Sequence, residues 1–172
     1  MNFKTGIHVG NLTDAHHVEV VRLQFASWSI SYGNVLPASF IENDLKGELD
    51  RHWSDAFQDG SGLVGRGAFQ GQSLVGFASL YMNRDSGAFL DNLHVWPSLT
   101  SRGVGGQLMT DCLRTSNDHG MTSLYLWVLD ENLRARKFYR RHGGVEIGTE
   151  VKNHFGQPLN AVRVEFPLGG AG

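Results

Sequence analysis

The architecture of this chain follows from residues 93–109, which read Leu93-His94-Val95-Trp96-Pro97-Ser98-Leu99-Thr100-Ser101-Arg102-Gly103-Val104-Gly105-Gly106-Gln107-Leu108-Met109. An apolar strand runs into a short loop, the loop becomes rich in glycine, and an amphipathic helix follows at once. The first N–H groups of a helix lack an intrahelical acceptor and form an anion site, and glycine lets a phosphate approach the backbone closely. The order therefore predicts a phosphorylated ligand, best matched by a pyrophosphate, over residues 102–106.

Two common phosphate motifs do not fit this loop. The mononucleotide P-loop needs Lys followed by Ser or Thr after its glycines, and neither pair is present here. The dinucleotide motif G-x-G-x-x-G would need glycine where the chain has Leu108. That motif does occur at residues 60–65, but it follows a helical pattern and precedes a strand pattern, the reverse of a dinucleotide turn. We interpret residues 60–65 as a flexible connector into a strand.

Residues 100–105 resemble the acetyl-CoA signature of the GNAT superfamily of N-acetyltransferases, Q/R-x-x-G-x-G/A, with Thr100 in place of the usual Gln or Arg. Upstream, residues 90–97 resemble the family's central strand, which commonly ends in V-x-P. Downstream, residues 132–144 resemble its N-x-x-A-x-x-F-Y-x-x-x-G block. A subgroup pattern, S-W-x-x-x-Y followed by L-P-x-x-F, is matched by Ser27-Trp28, Tyr32, Leu36-Pro37 and Phe40. The resemblance covers most of the chain.

Composition and charge predict one domain over residues 1–172. A chain of 172 residues with 41% apolar residues can bury a single substantial core. The formal net charge of −2 gives no excess of positive charge for nucleic acid. The first six residues contain no apolar leader, and no window of about 18 residues is apolar enough for a membrane helix. With Cys112 as the single cysteine, we expect a cytoplasmic protein without disulfides.

Periodicity and turn signals predict an α+β fold, a mixed sheet with helices on both faces. Strands are expected at 3–9, 63–69, 73–83, 87–96, 123–128, 145–151 and 161–166, and helices at 37–57, 103–119, 132–142 and after a cap at Thr13 or Asp14. The predicted apolar face of the first helix is Val18, Val21, Leu23, Phe25 and Trp28. The GNAT resemblance implies three layers and a mostly antiparallel central sheet that splays between two central strands, 87–96 and 123–128.

The resemblance also implies how acetyl-CoA binds. The pantetheine arm would lie between the splayed strands and pair with backbone at Leu93, His94 and Val95. An N–H near Leu93 would donate to the thioester carbonyl as an oxyanion hole. The pyrophosphate would lie on the N–H groups of Arg102, Gly103, Gly105 and Gly106, with the Arg102 guanidinium as added countercharge. Val104, in the same loop, is also expected to bind the cofactor. The acetyl group would pass directly to a primary amine of a small molecule or peptide.

Tyr139 is the predicted proton donor to the departing thiolate, because it matches the tyrosine of the family block. A phenol with a pKa of about 10 stays protonated at neutral pH and can donate to a thiolate whose conjugate acid has a pKa of about 8.5. Asn132 is expected to cap a helix and also to contact the cofactor. Arg136, in a basic run that is otherwise a solvated helix face, is the candidate for a CoA phosphate.

Asp91 is the leading candidate for the base. It lies two residues before Leu93 and so shares its face of the strand, but a carboxylate with a pKa of about 4 is a weak base for an ammonium group. We expect it to bind the ammonium and pass its proton on through water, with a solvent-facing structural role as the alternative. Trp28 and Tyr32 are expected to line the same amine site. His94 points to the opposite face and is interpreted as an exposed histidine or one at the edge of the core, with a catalytic role as the alternative.

Other candidates favour structural roles. Cys112 lies on an apolar helix stripe with no activating neighbour in view. His16 and His17 are adjacent and point about 100° apart on a helix, so a metal site is not expected. A non-catalytic acyl-CoA sensor on the same fold stays the main alternative, and an unrelated nucleotide-binding enzyme the second. We expect no nucleic-acid or membrane partner, and a homodimer stays open.

Overall fold

The computed structural model describes residues 6–58, 60–84, 87–154 and 156–169. The helices are α1 (His17–Ser31), α2 (Ala38–Asn43), α3 (Leu45–Ala56), α4 (Val104–Asp118) and α5 (Leu133–Arg141). The strands are β1 (Ile7–Asn11), β2 (Leu63–Gln70), β3 (Ser73–Arg84), β4 (Gly87–Val95), β5 (Ser123–Leu129), β6 (Val145–His154) and β7 (Gln157–Pro167). Short 3-10 turns cover Asp14–His16 and Pro97–Leu99. The start of the first predicted strand, at Phe3, lies outside the described residues.

The strands form one seven-stranded sheet in the order β1-β2-β3-β4-β5-β7-β6. β1 pairs with β2, β5 with β7, and β6 with β7 in antiparallel fashion, whereas β4 and β5 are parallel. The β4–β5 ladder consists of Ala88 opposite Leu124 and Phe89 opposite Tyr125, although both strands continue beyond these pairs. The predicted mixed, mostly antiparallel sheet is confirmed. The splay between the two central strands stays a prediction.

The chain forms two compact units. The first contains residues 1–79 and 92–111, and the second contains residues 80–91 and 112–172. In the first unit α1, α3, β2 and β3 enclose one core, in which Trp53 and Phe77 are fully buried and their rings meet edge to face at 5.3 Å. Partly buried aromatic side chains, including Phe25 and Trp28, pack against this core.

The predicted apolar face of α1 is wrong at Val18, whose surface is 67% exposed. The residues that α1 buries are Val20, Val21, Leu23 and Gln24. At about 100° per residue, Val18 lies nearly opposite the centre of that face. The prediction chose apolar side chains only and so excluded Gln24, which is 2% exposed and turns out to be part of the buried face.

Close packing around Gly76 fixes α4 in the first unit. A Cβ atom at Gly76 would lie 3.0 Å from Leu108 and 3.1 Å from both Val104 and the His94 carbonyl oxygen. Further along α4, the Asp111 carboxylate accepts hydrogen bonds of 2.5 and 3.3 Å from the guanidinium of Arg66 on β2. The absence of a side chain at Gly76 lets α4 pack closely against the strands of this unit. The ion pair between Arg66 and Asp111 holds the N-terminal part of α4 in that position.

The second unit is built on the β6–β7 hairpin, which is longer than predicted. Gly144 precedes β6 at a crowded position, because a Cβ atom there would lie 2.6 Å from Val164 and 2.8 Å from Phe166. A side chain near the far end of the hairpin reaches an aromatic ring on β5. Lys152 pairs in register with Leu159, beyond the last β5–β7 pair, yet its Nζ lies 3.8 Å from the ring centroid of Trp127 on β5.

Candidate active site

The predicted phosphate loop leads directly into the N-terminus of α4. Gly103 has a φ of 88°, a conformation that favours glycine. A hydrogen bond of 3.1 Å runs from Gln107 N–H to the Gly103 carbonyl, which makes Gly103 the residue before the helix. The N–H groups of Val104, Gly105 and Gly106 belong to the first turn, where a helix offers them no acceptor. They form the kind of donor row that holds an anion.

The loop before α4 uses one donor that the sequence had assigned to the ligand. The Arg102 N–H donates to the Leu99 carbonyl at 3.3 Å, and the Thr100 hydroxyl donates to the Pro97 carbonyl at 2.9 Å. These bonds close the 3-10 turn and the residues after it. The backbone of Arg102 is therefore already paired within the loop, while its side chain is exposed. Any contribution of Arg102 to a phosphate would come from its guanidinium.

β4 presents different residues on its two faces. Within the first unit, Asn92 and His94 point to α1, where they meet Gln24, Ser27 and Trp28. Strand alternation places Leu93 and Val95 on the other face, and both are partly buried. The predicted orientation of His94, opposite to that of Leu93, is what these contacts show.

A chain of buried polar groups connects α3, α1, β4 and β3 in the first unit. The Trp53 indole N–H donates to Gln24 Oε1 at 2.6 Å, and Gln24 Nε2 donates to Asn92 Oδ1 at 3.0 Å. Asn92 Nδ2 donates in turn to the Ser79 hydroxyl at 3.0 Å. Sequence reasoning missed this chain. The one local indication was that Gln24, a polar residue, occupies a position on α1 at which helical spacing predicts burial. Its partners, Trp53 and Asn92, lie 29 and 68 residues away in sequence.

His94 continues this polar chain to the end of α1. Its Nδ1 lies 3.0 Å from the Ser27 hydroxyl, and its Nε2 lies 3.3 Å from both the Trp28 indole nitrogen and Asn92 Oδ1. The ring also packs against Phe77, with centroids 5.4 Å apart. Burial lowers the pKa of His94 from 6.5 to about 4. The imidazole is therefore neutral at physiological pH.

Trp28 and Tyr32 form an aromatic pair at the C-terminal end of α1. Their ring centroids are 4.7 Å apart with the planes inclined by 32°. Both side chains are partly buried, and burial raises the pKa of the Tyr32 phenol. The two residues predicted to bind the amine thus meet in one place, where ring faces could receive a cationic group.

The second unit places Asp91 on an aromatic and charged face of the sheet. Asp91 is exposed and follows Phe89 by two residues, so the two share a face. Phe89 meets Tyr125 at 5.3 Å between ring centroids, and the Arg163 guanidinium lies 4.2 Å from the Tyr125 ring centroid. His154, which sequence reasoning did not consider, belongs to the same electrostatic environment. Burial lowers its pKa, and the charge of Asp91 opposes that shift.

α5 carries the remaining predicted residues of the second unit. Asn132 Oδ1 accepts a hydrogen bond of 3.1 Å from the Ala135 N–H, so the predicted N-cap is confirmed. Tyr139 is partly buried, and its ring meets Phe138 at 5.2 Å and Phe166 at 6.4 Å, both edge to face. The Tyr139 ring is therefore packed against two other aromatic rings. Its predicted role as an acid stays a prediction.

Arg136 is held by two carboxylates. Its guanidinium donates to Glu146 at 2.9 and 2.8 Å and to the Asp130 carboxylate at 2.7 Å, with a further bond of 2.9 Å to the Asp130 carbonyl. The side-chain hydrogen bond from Arg136 lowers the pKa of Glu146. The contact with a CoA phosphate stays a prediction, and a phosphate would have to compete with these acids for the guanidinium.

Three other features bear on alternative chemistry. Cys112 is buried in α4, as the apolar stripe predicted. Within the described ranges, no group of three or more His, Cys, Asp or Glu side chains is arranged to hold a metal ion. None of the helices in those ranges is long and apolar enough to cross a membrane.

Several solved structures share the fold over nearly the whole chain. A GCN5-related N-acetyltransferase of Rhodopseudomonas palustris is 18% identical with a TM-score of 0.77, covering 98% of this chain and 99% of that one. The ribosomal-protein-S18-alanine N-acetyltransferase of Escherichia coli is 16% identical with a TM-score of 0.75, covering 97% of each chain. The PaiA N-acetyltransferase of Thermoplasma acidophilum, solved in complex with coenzyme A, is 20% identical with a TM-score of 0.70, covering 94% of this chain and 99% of that one.

Curated relatives match over shorter segments. An uncharacterized N-acetyltransferase of Mycobacterium tuberculosis is 33% identical over 78 residues, which is 45% of this chain and 50% of that protein. The thialysine N-epsilon-acetyltransferase of Bos taurus is 27% identical over 89 residues, 49% of this chain and 52% of that protein. The chain thus spans about half the length of the curated relatives it matches. The model of the acetyltransferase (GNAT) family matches residues 25–144, and the chain belongs to that family.

Proposed function

We propose that this protein transfers the acetyl group of acetyl-CoA directly to a primary amine of a small molecule or peptide. The observation that carries the proposal is the start of α4, where Gly103 adopts a φ of 88° and the first-turn N–H groups follow at once. In a GNAT member this is a site for a pyrophosphate. The coenzyme A bound to the PaiA neighbour of Thermoplasma acidophilum supports a CoA thioester as the donor.

The donor site we propose combines the loop with β4. The N–H groups of Val104, Gly105 and Gly106 would receive the pyrophosphate, with Gly103 shaping the turn and the exposed Arg102 guanidinium adding countercharge. Backbone groups of Leu93, His94 and Val95 would pair with the pantetheine arm, and the Leu93 N–H would stabilise the developing oxyanion. Asn132 would add a contact besides its cap, and Arg136 is the proposed contact to a CoA phosphate.

In the reaction we propose, the amine nitrogen attacks the thioester carbonyl and the carbon–sulfur bond breaks. Tyr139 would donate the proton that the departing thiolate takes up, since a phenol is still protonated at neutral pH. Asp91 would bind the substrate ammonium and pass its proton on through water. Asp91 would do so in an electrostatic environment that it shares with His154.

The acceptor we propose is a cationic amine that lies against Trp28 and Tyr32. Aromatic faces attract ammonium groups, and the two rings lie together with their centroids 4.7 Å apart. The formal net charge of −2 gives no support for a polyanionic acceptor. We further propose that residues 1–172 act as one cytoplasmic domain that uses no metal. A homodimer is compatible with this proposal.

A binding panel separates this proposal from its alternatives. Calorimetric titration with acetyl-CoA, CoA, ATP and NAD should give heat of binding for the two CoA compounds and little for the other two. Binding of NAD or ATP in preference to CoA would overturn the assignment of the loop. Binding of acetyl-CoA without acetyl transfer to any amine would instead support the second candidate, a non-catalytic acyl-CoA sensor.

A further inference from the structure

We propose that His94 is a positioning residue, which fixes the Trp28 indole to β4 and thereby sets the affinity for the amine. This inference rests on the proposed function, because it concerns the aromatic pair proposed to receive the amine. The His94 imidazole would hold that pair in place. Its geometric basis is the set of hydrogen bonds that His94 makes at the end of α1, where Ser27 and Trp28 approach its two ring nitrogens at 3.0 and 3.3 Å.

The identity of the donors fixes the form of the imidazole. An indole N–H is a donor only, so Nε2 of His94 must accept from Trp28 and carry no proton. The ring proton then lies on Nδ1 and is donated to the Ser27 hydroxyl. An imidazole with a proton on Nε2 would donate to Asn92 Oδ1 at 3.3 Å and lose the bond from Trp28. The neutral ring with its proton on Nδ1 is therefore the form that holds Trp28.

The surroundings of the ring favour this neutral form. The groups that the structure shows against it are Ser27 and Trp28 from α1, Phe77 from β3 and Asn92 from β4. None of them is charged. Asn92 forms hydrogen bonds of 3.0 Å with both Gln24 and Ser79. The position of Asn92 beside His94 is therefore fixed by bonds in which His94 takes no part.

Two consequences distinguish a positioning role from catalysis. The Nε2 lone pair is committed to Trp28, so His94 is not free to take a proton from the substrate. The Trp28 ring contacts the Tyr32 ring in a tilted arrangement with centroids 4.7 Å apart, so the orientation that His94 imposes on the indole also sets the aromatic face that would receive an ammonium group. Loss of the bond should therefore weaken amine binding and leave acetyl-CoA binding largely unchanged.

Kinetics with four variants test the proposal. His94→Leu removes both hydrogen bonds, His94→Gln keeps an acceptor near the Nε2 position, and Trp28→Phe keeps an aromatic ring without the donor. We expect KM for the amine to rise about tenfold in His94→Leu and in Trp28→Phe, the factor for about one net hydrogen bond, with KM for acetyl-CoA changed less than about twofold. The double variant should be no worse than either single one, and His94→Gln should retain most of the affinity.

Additive effects in the double variant, or an equal rise of KM for acetyl-CoA, would overturn the positioning role. A second readout needs no turnover. The Trp28 indole N–H resonance should show the shift of a hydrogen-bonded proton in the wild type and in His94→Gln, and move upfield in His94→Leu. An unchanged resonance in folded His94→Leu would also overturn the proposal. If the wild type acetylates no amine, the proposed function fails, while this resonance still decides whether His94 holds Trp28.

Discussion

At the scale of single residues, the site depends on which polar groups are already paired. His94 commits Nε2 to Trp28 and Nδ1 to Ser27, so it does not act as a base. Arg136 is held by Glu146 and Asp130, and the Arg102 N–H is used by its own loop. Tyr139 and Asp91 are the side chains proposed to handle protons.

The first prediction concerns Tyr139. Replacement by Phe keeps the ring against Phe138 and Phe166 but removes the phenolic proton. We expect kcat to fall by roughly 10- to 1000-fold, the range for a lost general acid, while KM for acetyl-CoA stays nearly constant. Steady-state kinetics measure both constants. A fall of less than about threefold would make Tyr139 a packing residue and leave the thiolate to be protonated by water.

The second prediction concerns Asp91 and the pH dependence of the rate. An amine must lose a proton before it attacks, so kcat/KM should rise through neutral pH. Asp91→Asn should depress this rising limb, because the variant can neither hold the ammonium nor receive its proton. Asp44→Asn, at an exposed position before α3, serves as the matched control. A profile that is flat from about pH 6 to 9 and insensitive to Asp91 would contradict the assigned role.

The third prediction follows from the pKa of His94, about 4 in the folded protein against 6.5 for an ordinary histidine. Between these values the unfolded chain binds more protons at this residue than the folded protein does. The free energy of unfolding should therefore fall as the pH drops from about 6.5 to about 4, by about 3 kcal/mol from this residue, and not change above that window. Urea denaturation of the wild type and of His94→Gln at several pH values gives this difference. If the free energy of unfolding depends on pH in the same way in both proteins, the prediction is wrong.

At the scale of secondary-structure elements, local signals predicted most of the fold. Gly71 forms the turn between β2 and β3 with a φ of 61°. Gly120 ends α4, with N–H bonds from Gly120 to Asn117 and from Met121 to Ser116 that close the helix. These features depend on neighbouring residues and could be predicted. The buried face of α1 could not, because Gln24 is stabilised there by Trp53 and Asn92, which lie far away in sequence.

The fourth prediction tests the start of α4. Gly105→Val would place a branched side chain in the first turn, where the phosphate is proposed to lie, and should abolish acetyl-CoA binding in calorimetry. Gly47→Val is the matched control, since Gly47 is an exposed first-turn residue of α3 with open space around it. Gly62, in the glycine motif at residues 60–65, is less suitable as a control position, because its φ of 77° would strain any side chain placed there. Unchanged affinity in folded Gly105→Val would remove the phosphate site from this loop.

At the scale of the whole molecule, the prediction of a single domain has a direct consequence for unfolding. The chain forms two compact units, with Trp53 in the first and Trp127 in the second. If residues 1–172 are one domain, the indole resonances of Trp53 and Trp127 should lose their native intensity at the same urea concentration. Separate midpoints would show that the units unfold independently, and the single-domain prediction would then be wrong.

The candidate site could be predicted only in part at this scale. Motif order and spacing located the loop, β4 and α5, because each motif combines adjacent residues. The polar chain from Trp53 to His94 and the electrostatic link between Asp91 and His154 arise from tertiary contacts. No local pattern indicates which acids pair with Arg136. Sequence therefore predicts which segments carry the candidate residues, but not which partners those residues meet in the folded chain.

Acetyl transfer from acetyl-CoA to an amine releases CoA, so the rate of CoA release measures the proposed activity. The purified protein would be incubated with acetyl-CoA and a panel of primary amines, including polyamines, amino acids and peptides with free N-termini, and the free thiol followed with time. We predict release that depends on both enzyme and amine, saturates with at least one amine and yields the matching N-acetyl product. Release no faster with any amine than without one, in protein shown to bind acetyl-CoA, would contradict the account.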